Sequence, residues 1–532
     1  MRGAYVEAKT LLLRLIECAP TNADAHCNLA LALSALGRHE EAQASCRRAL
    51  ALNPASTEGH NTYAAILKAA GRYDEAEAHY RRAFELDNSL PHPLNNIGAL
   101  FAERGELNAA IEWYRQAIEK QPTFAQAHDN LGAALTKLGN PEEAEASHRR
   151  AIALTPGFAQ AHYNLGVALQ EQGRIEDALA SYNKAVEMQP DMVDARWNRA
   201  VALLSLGNYP DGWREHEWRW RRREQPPREF DQPLWRGEEL DGKSIILHAE
   251  QGIGDTLQFI RYVPLVAARG AHVIVAVQPS LLRLVSGSLG GSVDVKAAAD
   301  PLPLTDVHCP LMSLPFVLGT TLQSIPVCVP YIKADPFAVE RWRNRLKAAA
   351  GIKVGLVWAG RSQHKNDTNR SISFERLMPL FGIDHARWFS LQVDDRKADL
   401  SRISSHLITD LSGFLSDFSE TAAALMCLDL VITVDTAVAH LAGALGKTVW
   451  VMLPFVSDWR WLIARDDSPW YSTARLFRQQ QRGDWDSVVE CLHSALVEFV
   501  GSAQPRQSGT SSTAGFGRSA DLPRSNERDR RE

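Results

Sequence analysis

Six glycines, Gly37, Gly71, Gly105, Gly139, Gly173 and Gly207, stand 34 residues apart along the chain. Ala42, Ala76, Ala110, Ala144 and Ala178 keep the same interval. So do Pro20, Pro54, Pro122, Pro156 and Pro190, with Asn88 in the frame position that lacks a proline. Three registers sharing one period mean a repeated structural unit, and this decides the fold of the front half before anything else is considered. Each glycine suits the left-handed turn that ends a first helix. Each alanine lets a second helix pack closely on the first, and each proline stops that second helix. One helix pair has too little core to stand alone, so the units must stack as an α-solenoid. Six units fill about 21–224. The frame puts Gly3 and Ala8 in the second helix of a repeat whose first helix is missing, so the chain is expected to start mid-repeat, from a truncated or misassigned N-terminus.

One register is polar: Asn28, Thr62, Asn96, Asn130, Asn164, Asn198. Equal register in a solenoid makes one continuous row. A carboxamide both donates and accepts, so Asn96, Asn130, Asn164 and Asn198 are candidates to hold an extended protein or peptide acceptor by its backbone. The competing reading is that they brace neighbouring helices. The stretch "WREHEWRWRRRE", Trp213 to Glu224, is basic and aromatic, but a net charge of -5 argues against nucleic acid. It reads better as the end of the last repeat, packing tryptophans on the next domain.

Composition adds exclusions. With 45% hydrophobic and 23% charged residues the chain is of soluble globular type. Its seven cysteines include no C-x-x-C pair, so neither a zinc ribbon nor a disulfide framework is expected. No leader or transmembrane segment is visible, and the location expected is cytoplasmic.

After a connector at 225–242, the period changes. "SIILHA", "AHVIVAV", "KVGLVWAG", "ARWFSLQ", "LDLVITV" and "KTVWVML" are short apolar runs alternating with helical stretches such as "GDTLQFIRYVPLVAA". That alternation predicts parallel βαβ units. They divide into halves at 243–335 and 350–500, with a cleft between the carboxyl ends of two sheets. The tail, 501–532, is rich in Ser, Gly, Arg and Pro and is expected to be disordered.

Two motifs sit at strand ends. "QGIGD" follows a strand and opens a helix. Gly252 and Gly254 permit close backbone approach, and a helix N-terminus favours an anion. The loop is not a P-loop, because it lacks the Gly-Lys-Ser/Thr ending, and Leu257 occupies the place of a dinucleotide motif's third glycine. Asp255 is either a helix cap or a group acting in the cleft. The second motif is "LVITVDTAVAHLAGALGKTVWV", Leu430 to Val451. Here Asp435 and Thr436 begin a helix, and His440 lies one turn beyond Thr436 on the same face.

These motifs, "GIGD" and "VDTAVAHLAGALGK", are similar to those of the heptosyltransferase-like glycosyltransferase family 9. The resemblance covers about 243–498. It implies a GT-B fold of two facing Rossmann-like domains, a nucleotide-sugar donor, and neither a metal nor another cofactor. It implies that Asp255 is the catalytic base and that Asp435, Thr436 and His440 bind the donor with Gly252 and Gly254. Ala437 departs from the glycine usual in the family. "WAGRSQHKNDTNRSI" lies where the family has a basic phosphate contact, and Lys365 and Arg370 are both candidates. The repeats, asparagine row included, resemble those of protein O-GlcNAc transferases, whereas the catalytic half does not. Bacterial repeat-plus-transferase proteins are the nearest whole-chain resemblance. The fold expected is therefore an α-solenoid followed by an α/β GT-B unit. The function expected is metal-independent transfer of a sugar to an acceptor presented by the repeats, with a protein as the acceptor. Two alternatives stay open: a non-catalytic scaffold for protein–protein interaction, and a transferase for a glycan or lipid-linked acceptor.

Overall fold

The computed structural model describes residues 2–222, 230–291, 293–393, 395–402 and 407–503. The proposed tail lies outside the described residues from 504 onward, as does the part of the connector up to 229.

The helix Arg2–Cys18 packs on the first of six helix pairs. The pairs are Ala23–Ala35 with His39–Leu52, Thr57–Ala69 with Tyr73–Leu86, Pro91–Glu103 with Leu107–Lys120, Ala125–Leu138 with Pro141–Leu154, Ala159–Glu171 with Ile175–Met188, and Val193–Ser205 with Tyr209–His216. The frame glycines do what their spacing implies: φ runs from 75° to 91° at Gly37, Gly71, Gly105, Gly139, Gly173 and Gly207. The frame alanines are fully buried between the helices of a pair. A second glycine register, Gly98, Gly132 and Gly166, takes the ring of Tyr114, His148 or Tyr182 against the bare helix backbone. A Cβ there would lie 2.7, 2.6 or 2.5 Å from the ring.

The second region holds two parallel sheets. The first, in order β3-β2-β1-β4, is built from β1 (Ser244–His248), β2 (His272–Val277), β3 (Val293–Ala297) and β4 (Val307–Pro310). The second, in order β10-β9-β8-β5-β6-β7, is built from β5 (Ile352–Val357), β6 (Ala386–Ser390), β7 (Ile408–Asp410), β8 (Leu430–Val434), β9 (Val449–Leu453) and β10 (Ala474–Arg478). The strand order reverses between β1 and β4 and between β5 and β8, so each sheet has one topological switch point. The described end of the connector is not a free linker. Trp235 N–H donates to the His308 carbonyl on β4 at 2.8 Å, and Trp235 is buried.

One apolar core runs through the solenoid's end and both sheets. It contains Tyr209 and Trp213 from the last repeat, Leu247 and Phe259 from the first sheet region, and Val431, Trp459 and Trp470 from the second. Trp213 meets Trp459 edge-to-face at 5.2 Å and Phe259 at 6.0 Å, and Trp470 Nε1–H donates to the Tyr209 hydroxyl at 3.0 Å. Arg219, in the basic aromatic stretch, is buried. It grips both carboxylate oxygens of Glu250, just past β1, at 3.0 and 3.1 Å, and also meets Glu217 and Ser313. That stretch is thus the seam between repeat and sheet, through aromatic burial and a hydrogen-bonded ion pair. Among the described residues no helix is long and apolar enough to cross a membrane.

Candidate functional site

Both switch points open on one cleft of about 940 Å³. Gln251–Asp255 after β1, Met312 after β4, Ala359–Arg361 after β5 and Asp435–Val438 after β8 all line it. The last two repeats supply a wall through Gln170, Glu171, Trp197 and Val201. Arg482 ties that wall to the second sheet region by pairing with the Glu171 carboxylate and donating to its carbonyl.

The helix after β1, Ile253–Phe259, starts at Gly252. Asp255 turns back so that its Oδ2 accepts the Gly252 N–H at 2.7 Å, which is the helix-capping role. Its Oδ1 pairs with Arg460. The carboxylate therefore has a partner on each oxygen, while each oxygen keeps a further lone pair for a ligand. The helix after β8, Ala437–Ala444, packs directly on this first helix. Gly254 lies against His440: a Cβ there would lie 2.8 Å from His440 Cδ2. That contact joins the two sequence motifs physically and gives Gly254 a packing reason.

Thr436 is the N-cap of the second helix. Its hydroxyl accepts from Val438 N–H at 3.3 Å and pairs with Thr433 Oγ1 at 3.0 Å. His440 is buried, with Nδ1 2.9 Å from the Tyr471 hydroxyl and its ring stacked on Trp461 at 5.4 Å. Burial, aided by the Arg460 charge, pushes the imidazole down to about 3, so it is neutral near pH 7. Asp435 Oδ1 lies 4.0 Å from His440 Nε2, too far for a hydrogen bond. Desolvation and the neighbouring Asp458 carboxylate raise the Asp435 carboxyl to about 6. Arg370 donates to the Asp435 carbonyl at 3.1 Å and lies over Gly360, where a Cβ would collide with its guanidinium. Its buried Nε has no hydrogen-bond partner. Of the two basic candidates, Arg370 lines the cleft; Lys365 is exposed and outside the lining.

The family models match the front of the chain. Tetratricopeptide-repeat family models match residues 11–44, 33–96, 98–139, 130–191 and 168–212. The front of this chain is a tetratricopeptide-repeat array. Protein FlbA of Caulobacter vibrioides (strain ATCC 19089 / CIP 103742 / CB 15) is 27% identical over 318 residues, which cover 55% of this chain and 53% of FlbA. The chain thus spans about half the length of that curated relative. Among solved structures, a thermophilic TPR protein of Thermus thermophilus is 27% identical, with a TM-score of 0.31, covering 34% of this chain and 99% of its own. YrrB, described as a TPR protein with an unusual peptide-binding site, is 24% identical, with a TM-score of 0.27, covering 35% of this chain and 95% of its own.

Within the tetratricopeptide array, the asparagine row forms a ladder between repeats. Asn96 Nδ2 donates to Asn61 Oδ1 and Asn130 Nδ2 to Asn95 Oδ1, both at 2.9 Å. Asn164 Nδ2 donates to both Asp129 oxygens at 3.1 and 3.0 Å, and Asn198 Nδ2 lies 3.4 Å from the Tyr163 hydroxyl. Gln126 and Gln160 fill the carbonyl side of Asn130 and Asn164 at 3.0 Å. The row is half-buried and does not line the cleft.

The sequence reading missed the "DWRWL" loop, Asp458 to Leu462, which follows β9. Arg460 there donates to Asp458 Oδ1 and to Gln258 Oε1, each at 2.8 Å, and pairs with Asp255. Burial opposes its charge, but Asp458 and Asp255 more than offset this and hold it protonated. The loop's signal was an arginine between two tryptophans at a strand's carboxyl end. The left-handed backbone of Leu462, φ 53°, marks the tight exit.

Proposed function

We propose that the second region is a glycosyltransferase of GT-B type, moving a sugar from a nucleotide-sugar donor to a protein segment presented by the tetratricopeptide array. The observation that carries the reading is the shared cleft at both topological switch points, where open α/β sheets bind ligands. In this reading Arg370 and the N-terminus of Ala437–Ala444 neutralise the leaving nucleoside diphosphate without a divalent ion. Asp435, Thr436 and His440 orient the donor. Asp255 takes the proton of the acceptor hydroxyl as its oxygen bonds to the anomeric carbon and the bond to the diphosphate breaks. Support for a protein acceptor comes from the repeat wall of the cleft, since such arrays are suited to protein–protein contact. The neutral His440 adds a polar group to the site without adding a charge.

The competing scaffold reading draws on the engaged state of Asp255 and Thr436, both of which have helix-capping work that needs no substrate. A thermal-shift screen of nucleotide sugars separates the two. A donor at about a hundred times its Kd stabilises the fold by about 2.7 kcal/mol. If no nucleotide sugar raises the melting temperature, the cleft does not take such donors and the scaffold reading stands.

A further inference from the structure

The loop Asp458–Leu462 meets the last repeat, the helix after β1 and the helix after β8. Trp459 packs edge-to-face on Trp213 at 5.2 Å and lies 6.3 Å from His216, both in the last repeat. Trp461 stacks on His440. The loop is pinned from below by Arg478, which donates to the Ser457 hydroxyl at 2.7 Å and to the Trp461 carbonyl at 2.5 Å. Between the two tryptophans, Arg460 has all three of its donor groups assigned: Nε to Gln258, NH1 to Asp458 and NH2 to Asp255. Gln258 and Asp255 lie on one helix, so the guanidinium holds that helix at two points nearly one turn apart. Its face also rests on Trp459, 4.3 Å from the ring centroid.

We propose that Arg460 is the positioning residue for Asp255: its planar fork fixes the carboxylate's direction in the cleft, Trp459 fixes the fork against the last repeat, and Trp461 anchors the loop on His440. The function of this placement rests on the transferase reading above; the placement does not. A carboxylate on the first sheet region is here oriented by a side chain from the second, so the two halves must be docked for the base to point correctly. A lysine cannot reproduce this, because an ammonium is a point charge that cannot span Gln258, Asp458 and Asp255 with a rigid fork.

The test uses the full chain with Arg460→Ala, Arg460→Lys and the double variant Arg460→Ala/Asp255→Asn, with methylguanidinium as the probe. Melting is followed by circular dichroism with and without millimolar probe. The expected result is that methylguanidinium raises the melting temperature of Arg460→Ala, and raises that of wild type and of the double variant much less. Equal shifts in all three would overturn the placement. Where Arg460→Ala fails to fold, Arg460→Lys, expected to fold, is compared with Arg460→Lys/Asp255→Asn. If Asp255→Asn costs as much stability in the lysine background as in wild type, the fork does not hold Asp255. With a donor found in the nucleotide-sugar screen, kcat of Arg460→Lys falls by about 10²-fold with the donor KM little changed, as for a misplaced catalytic group. Methylguanidinium restores part of the kcat of Arg460→Ala. An unchanged kcat overturns the positioning role. If wild type turns over no donor, the transferase reading fails, and the melting experiment alone still decides whether Arg460 holds Asp255.

Discussion

Replacing Gly254 by alanine tests whether the two motifs meet as the structure places them. The new Cβ would stand 2.8 Å from His440 Cδ2, whereas ordinary contact begins at about 3.4 Å. One group must give by about 0.6 Å. His440 has little room to retreat, because Trp461 is stacked on its ring and the Tyr471 hydroxyl holds Nδ1 at 2.9 Å. Overpacking of this kind costs about 1–3 kcal/mol. At about 2–4 °C per kcal/mol for a cooperative unit of this size, the sheet region should melt several degrees lower. Gly252→Ala is the control. Its Cβ would meet only the end of the Asp255 side chain, at 3.1 Å, on a backbone any residue adopts, so the cost should stay below about 1 kcal/mol. The decisive measurement is the double-mutant cycle in urea. His440→Ala removes the obstructing ring, so Gly254→Ala/His440→Ala should be less destabilised than the sum of the single variants by about 1 kcal/mol or more. Additivity within about 0.5 kcal/mol would show that the two helices do not touch at these residues.

Four further outcomes are expected. Asp255→Asn keeps donor binding by calorimetry but lowers transfer by about 10²–10⁴-fold; unchanged turnover would leave Asp255 as a helix cap. Asp435→Asn stabilises the protein near pH 7 by on the order of 1–3 kcal/mol, and the gain shrinks as pH falls from about 6 toward 4. The sign follows because the folded state binds the proton more tightly than the unfolded chain across that window, so the wild-type carboxylate is most costly above it; a gain independent of pH in urea melts would refute the shift. Trp213→Ala opens a cavity among Phe259, Trp459 and Trp470 and should cost about 3–5 kcal/mol in the melting of both regions together; separate, unshifted melting of the sheets would show that the seam is weak. Asn164→Ala leaves Asp129 with His148 but without its amide donor and should cost about 1.5–3 kcal/mol, more than Asn198→Ala, whose partner is a neutral hydroxyl at 3.4 Å; equal losses in helical melting curves would mean that the ladder does not brace the array.

What the sequence disclosed, and what it hid, divides along physical lines. The repeat was legible because its marks are local: a positive φ needs glycine and a close helix crossing needs alanine, wherever the chain goes next. Six strands were legible too, and they are β1, β2, β5, β6, β8 and β9, the interior strands of the two sheets. The four that were not read, β3, β4, β7 and β10, are all edges. An interior strand is apolar on both faces and stands out as a hydrophobic run. An edge strand such as "VDVKA" or "ARLFR" exposes charged residues along its length and does not. The helical stretch after β1 was read as one element but breaks into Ile253–Phe259 and Val263–Ala267, with Pro264 at the start of the second.

The site follows the same rule. Gly252, Gly254, Asp255, Asp435, Thr436 and His440 come from two continuous motifs at strand ends, and the fold brings them to one cleft. Which of Lys365 and Arg370 lines the cleft was not legible in the sequence, because Arg370 is placed there by Gly360, ten residues away, leaving bare backbone for a guanidinium to cover. Arg460 was harder still. Its meaning lies in Asp255 and Gln258, about two hundred residues earlier on the other sheet region, so no spacing could announce it. The asparagine row shows the converse hazard. The register was visible, but whether an amide faces a ligand or a neighbouring repeat depends on the preceding repeat, at the residue one step before the row position there. In repeats with Asn61, Asn95 and Asp129 at that step, the preceding unit already supplies the acceptor. Recognition of a polypeptide in the array would then draw on the groups the ladder leaves over, and the cleft wall of Gln170, Glu171, Trp197 and Val201, on the two helices that also carry Asn164 and Asn198, is where such a segment would pass from repeat to site.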